Sequence, residues 1–127
     1  MEEISREEIT SYKDLIVWQK AMDLTDEIYR LTRKLPKEEL FGLTNQMRRA
    51  AVSIPSNIAE GNERDSSREY LHFLHISKGS CSELETQMEI CLRQKMLTKE
   101  DLTNASDACS QVGKMLNSLI DKIRTKL

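Results

Sequence analysis

Residues 50–64 read AAVSIPSNIAEGNER, and the way Pro55 is taken within them decides the fold. Ala50, Ala51, Ile54 and Ile58 recur at the spacing of one helix face. A proline inside a helix donates no backbone hydrogen bond, and its ring crowds the carbonyl four residues back, here that of Ala51. The apolar spacing nevertheless continues across Pro55. The stretch therefore reads as the end of a kinked core helix, not as two helices or a catalytic loop. Ser53, Ser56 and Asn57 are short polar side chains suited to the freed backbone groups, and Gly61 fits a left-handed C-terminal cap. Glu60 and Arg64 flank the turn, where they can pair with each other or with Arg49.

Outward from this stretch the same periodicity defines four segments. The second helix is expected from about Glu38 to about Glu60, with Leu40, Leu43 and Met47 extending its stripe. Before it, a helix starts near Ser11, with Asp14 at capping-box spacing and a stripe of Val17, Ala21, Leu24, Ile28, Leu31 and Leu35; Pro36 stops it. The third starts at Asp65 or Ser66, with Glu69 completing a capping box. Its stripe is Tyr70, Leu74, Ser77, Cys81, Leu84, Met88 and Cys91. Gly79, Ser80 and Ser82 weaken that helix, which predicts a closely packed neighbour there. The fourth starts at Thr98, with Asp101 three residues on, and carries Leu102, Ala105, Cys109, Val112, Leu116, Leu119 and Ile123. Short loops force antiparallel neighbours. The expected fold is all-α, an antiparallel up-down-up-down four-helix bundle over residues 11–127, preceded by a flexible tail over residues 1–10.

A chain of 127 residues suits one domain with a core of its own. Four Gly, two Pro and 5% aromatic residues argue against a strand-rich fold. A net charge of -2 supplies no general attraction for nucleic acid or membranes, so such binding has to come from a local patch. Cys81, Cys91 and Cys109 show no CxxC spacing and fit reduced core thiols. The acidic start MEEISREEIT is not a signal peptide, and no apolar run is long enough for a membrane span. A cytoplasmic protein without membrane contact is expected.

Chemistry-bearing patterns are few. Glu69, His72 and His75 follow each other at three-residue steps, and Glu-x-x-His belongs to bundle di-iron sites. Such a site needs a second Glu-x-x-His, and the chain has only two His. No metal, cofactor or catalytic residue is assigned, and a metal-dependent enzyme is the least favoured reading. Arg30, Arg33, Lys34, Lys37, Arg48 and Arg49 form a local basic set, because Glu38 and Glu39 are the only acids within residues 29–49. They are the candidate phosphate contacts for RNA or DNA. Leu15, Ile16, Phe41, Phe73, Ile76 and Ile90 lie beside the main stripes and suggest a face for a second subunit or a partner helix. The leading function is a non-enzymatic, homo-oligomeric scaffold that binds nucleic acid or a nucleic-acid enzyme. The alternative is a purely structural protein–protein module.

Three stretches together carry a resemblance: YKDLIVWQKAMDL (residues 12–24), FGLTNQMRRAAVSIPSNIAEGNER (41–64) and EYLHFLHISKGSCSELETQM (69–88). They resemble the bacterial four-helix-bundle family of 23S rRNA intervening-sequence proteins. The accessory variability protein of diversity-generating retroelements is a more distant relative. The resemblance implies an antiparallel bundle, ring-like homopentamers, and binding to a reverse transcriptase and nucleic acid through a basic surface. Its pattern falls on Trp18, Gln46, Arg49, Ser53, Pro55, Asn57, Glu60, Gly61, Arg64, Gly79, Ser80 and Glu83, with no catalytic role among them.

Overall fold

A computed structural model describes residues 11–127; the tail expected over residues 1–10 lies outside them. Four helices carry the chain: α1 (Ile16–Thr32), α2 (Asn45–Asn62), α3 (Ser67–Arg93) and α4 (Lys99–Arg124). Each packs on two neighbours in the cyclic order α1, α2, α3, α4, and the α2–α3 contact is the most extensive. Cross-contacts give the directions. Thr25 meets Ala51 and Thr32 meets Arg48 across α1 and α2, while Ile54 meets Ser77 and Met47 meets Cys91 across α2 and α3. Rising numbers on one helix meet falling numbers on the next, so both pairs are antiparallel. The fold is an all-α four-helix bundle.

The expected stripes form one core. Leu24, Ile28, Leu31, Met47, Ile54, Ile58, Leu74, Leu84, Val112 and Leu116 are fully buried. Each such aliphatic side chain contributes roughly 1.5–3 kcal/mol on leaving water. Two stripes shift by one residue. Leu71 is buried where Tyr70 was expected, and Ile120 takes the place of Leu119. Tyr70 and Leu119 pack against the core at its edge, Tyr70 accepting a hydrogen bond from Asn62.

Helix starts follow the capping signals in part. Thr98 and Asp101 make a complete capping box on α4, and the Ser66 hydroxyl accepts from the Glu69 N–H on α3. Ser11 and Asp14 also make a capping box, but on a 3₁₀ turn (Tyr12–Asp14); extended Leu15 then separates it from α1. The larger correction concerns the start of the second helix. In place of a regular helix from Glu38, a 3₁₀ turn (Lys37–Glu39) runs into a π-helical turn (Leu40–Thr44). Gly42 leaves helical dihedrals there, and the Glu39 carboxylate accepts the Leu43 N–H. Leu40 is thereby turned out of the core, 52% exposed.

α2 is continuous through Pro55. The carbonyl that Pro55 frees, Ala51 O, accepts a hydrogen bond at 3.2 Å from Thr25 Oγ1 of α1, which also donates to Ala21 O. The side chains expected to serve this backbone do otherwise. Asn57 Nδ2 donates to the oxygens of Ser53, and Ser56 is exposed. Gly61 is also not a left-handed cap, since no described glycine has a positive φ. It lies inside α2, and a Cβ there would stand 2.8 Å from Phe73 Cβ and 3.1 Å from the Tyr70 ring. Its role is the close approach of α2 to α3. Gly79 was expected to do that, yet a Cβ at Gly79 meets nothing within 4 Å. Ser82 is likewise exposed, while Ser80 Oγ hydrogen-bonds Ser53 Oγ at 2.8 Å.

The α3–α4 turn has a left-handed residue that no glycine announces. Lys95 has φ 60°, and the Met96 N–H donates back to Cys91 O at 2.9 Å, closing α3 in a Schellman-type arrangement.

Gly61→Ala and Gly79→Ala should therefore act in opposite directions. The first should cost about 1–2 kcal/mol, a net of overpacking against the helix-propensity gain. The second should stabilise by up to about 1 kcal/mol. Denaturant midpoints of the two variants check both signs. By the same measurement Lys95→Gly should stabilise by about 0.5–1 kcal/mol through relief of the left-handed penalty.

Candidate functional site

The basic set divides once its side chains are followed. Arg30 forms a bidentate pair with Glu27 one turn earlier on α1, and that carboxylate raises its pKa. Lys34 reaches Asp101 at the start of α4 at 3.2 Å. Asp101 is held below the usual carboxylate range, first by its backbone hydrogen bond at Thr98 and then by Lys34. Arg48 is half-buried: its guanidinium lies 4.6 Å from the Tyr29 ring centroid, and its Nε donates to Thr32 Oγ1 at 2.9 Å. Thr32 Oγ1 in turn donates to Ile28 O. Arg33, Lys37 and Arg49 are exposed and form no ion pair within 4.0 Å among the described residues.

Arg48 and Arg49 share a groove of about 390 Å³ between α1 and α2 with Tyr29, Val52, Ser53 and Ser56. Tyr29 and Thr32 are the participants that sequence reasoning did not single out. Their signal is weak, because a tyrosine and a threonine one turn apart on a helix have no special pattern until Arg48 is placed beside them. The groove has an aromatic face, a fixed guanidinium and a free one. Such a surface suits a phosphate with an adjoining planar or apolar group.

A second groove of about 660 Å³ lies between α2 and α3, lined in part by Gln46, Arg49, Glu83, Gln87 and Ile90. Gln87 was also missed. It is buried, its Nε2 donates to Glu83 at 3.4 Å, and its Oε1 has no partner among the described residues. The family-pattern residues Gln46, Arg49 and Glu83 thus come together here. Trp18 is elsewhere, stacked edge-on with Tyr12 at 5.5 Å beside the lower α1–α2 groove that Pro55 also lines. Glu60 and Arg64 pair with each other at 2.9 Å, and the Arg64 guanidinium covers Phe73.

The histidine pattern does not converge on a site. Glu69, His72 and His75 are exposed, with His72 against Phe73. Among the described residues no three His, Cys, Asp or Glu side chains group to hold a metal. All three cysteines are free and buried. Burial pushes the Cys91 thiol up to about 11. The Cys109 thiol is also raised, first by its contact with Cys81 and then by burial. Thiolate, the nucleophilic form, is disfavoured at both. No helix among the described residues is long and apolar enough to cross a membrane.

The side chains expected to mark an association face separate by exposure. Phe41 is 91% exposed, and Ile16, Ile76 and Ile90 are exposed as well, joined by Met22, Leu40 and Val52. Leu15 and Phe73 are half-buried.

No protein of curated function shows a significant match. A crystal structure of a protein of unknown function from the S23 ribosomal protein family of Bacteroides thetaiotaomicron is similar in fold. It has a TM-score of 0.77 and 24% sequence identity, covering 83% of this chain and 98% of that one. Residues 13–118, which include the whole of α1, α2 and α3 and most of α4, match the family described as 23S rRNA-intervening sequence protein, and the chain belongs to that family.

Proposed function

We propose that this protein is a non-enzymatic scaffold of the cytoplasm that assembles with copies of itself and contacts nucleic acid through the α1–α2 face. The observation that carries the assembly is Phe41, whose side chain is 91% exposed beside exposed Leu40. Large apolar side chains grouped on a surface mark a contact waiting for a partner. A homopentamer is the assembly that the resemblance implies. Free buried thiols suit a reducing compartment.

The nucleic-acid reading rests on Arg49. It is exposed, has no carboxylate partner among the described residues, and shares a groove with the ring-stacked Arg48. Arg33 and Lys37 are the further free cations of the set, whereas Arg30 and Lys34 are already paired. The rival reading, a protein–protein module without nucleic-acid affinity, draws on the same exposed apolar residues and on the net charge of -2.

A salt-series titration with structured RNA and with duplex DNA separates them. Phosphate contact predicts affinity that falls steeply with salt. Arg48→Gln with Arg49→Gln should then lower the log–log salt slope by about 2, one per lost phosphate contact. Circular dichroism of the same variant checks that the bundle is retained. Absence of salt-dependent binding to either probe would establish the rival.

A further inference from the structure

We propose that the Leu40–Phe41 turn of one copy seats in the α3–α4 groove of a second copy, a contact that rests on the self-assembly reading and names its two surfaces. The turn is a knob of apolar side chains, preceded in the chain by two unpaired cations. Leu40 and Phe41 are the most exposed hydrophobics within α1–α4 and their connections, at 52% and 91%. Arg33 and Lys37 precede them and are without ion-pair partners among the described residues. Exposed Glu38 is the one acid of the knob whose carboxylate is not engaged locally, since Glu39 accepts the Leu43 N–H.

The groove has the complementary character. It encloses about 530 Å³ between α3 and α4, with half-buried Leu92 and the buried Met88 and Leu102 at its floor and the hydroxyls of Thr103, Ser106 and Ser110 on the α4 side. Glu85, Glu89 and Asp107 are exposed along it, and Lys99 is its one cation. Glu89 has only a solvent-exposed pair with Arg93, and Asp107 has no ion-pair partner among the described residues. An apolar anchor accompanied by two cations fits a trough edged by three carboxylates with Leu92 at its floor. Both surfaces occur on every copy, which makes a second copy the partner that the charges specify.

The two surfaces cannot satisfy each other within one chain. The bundle order puts α3–α4 on the side opposite α1–α2, and Phe41 stays 91% exposed. Both lie at the same end of the bundle, where Lys34 near the end of α1 meets Asp101 at the start of α4. The contact is therefore heterologous, with the knob of one copy in the groove of the next. It engages Arg33 and Lys37 and leaves Arg48 and Arg49 as the phosphate contacts.

Two full-length variants test this by light scattering. Phe41→Asp removes the knob and keeps the groove; Glu85→Lys with Glu89→Lys reverses the groove and keeps the knob. Phe41→Asp should raise the self-dissociation constant at least about thirty-fold, the loss expected of an interface hot spot. Each variant alone should be a folded monomer by mass and circular dichroism. Mixed, the live knob of one meets the live groove of the other, giving a 1:1 complex of twice the 14.7 kDa chain mass. Unchanged oligomer mass in both variants, or a mixture that stays monomeric, overturns the knob-and-groove contact while self-assembly stands. A wild-type chain that is monomeric at micromolar concentration in moderate and high salt overturns self-assembly itself.

Discussion

The close approach of α2 to α3 is the constraint on which the rest of the bundle depends. Three points along the seam hold it. Gly61 meets Phe73 and Tyr70 at one end, Ser77 and Ser80 reach Ile54 O and Ser53 at the middle, and Met47 meets Cys91 at the other end. Hydroxyls that donate to a neighbouring helix let two backbones approach without leaving buried polar groups unpaired. The register set in this way also decides which face of α2 remains for α1. On that face the Ala51 carbonyl, without a helical donor because of Pro55, finds Thr25. The local cost of the proline is offset by a contact between helices, so it adds specificity to the α1–α2 packing.

Periodicity was enough to read most of the fold. Steps of three and four identify the core face because burial acts on whole side chains and tolerates a neighbour's substitution. Capping signals were legible for a similar reason: Ser66, Thr98 and Ser11 each satisfy N–H groups within a few residues of themselves. What remained hidden depends on distant partners. Gly61 looks like a cap until Phe73 is placed against it, and Gly79 looks like a packing point until no neighbour is found. Lys95 adopts a glycine-type conformation because the turn closed by Met96 requires it, a tertiary demand overriding propensity. In the candidate site, Arg48 and Arg49 were visible as charges. Their difference, one stacked on Tyr29 and one free, depends on α1 packing beside them.

That difference bears on how a basic cluster is to be understood. Six cations with two nearby acids suggest one phosphate-binding face when counted along the chain. Folding redistributes them. Glu27 and Asp101, one of them far away in sequence, pair with Arg30 and Lys34. These exposed pairs contribute little to stability. They still lower the field available to an incoming phosphate, because a cation beside a carboxylate has lost most of its net charge at a distance. The proposed phosphate surface consequently rests on fewer residues than the cluster, with the α1–α2 groove at its centre.

Local and global signals agree along most of this chain: stripe and core coincide over the greater part of all four helices, and the caps of α3 and α4 coincide with them. Agreement of that kind marks structure, and places where it fails mark function or strain. The stretch around Pro55, the most recognisable in the sequence, belongs to the first class, since its every irregularity is absorbed by packing against α1 or α3. The turn around Gly42 belongs to the second. There a helical apolar pattern is given up, a carboxylate is used to hold the backbone, and two large side chains are left exposed among the described residues. A fold that hides its proline and displays a phenylalanine absorbs its irregularities in the core and keeps, at the surface, the face on which the proposed self-assembly rests.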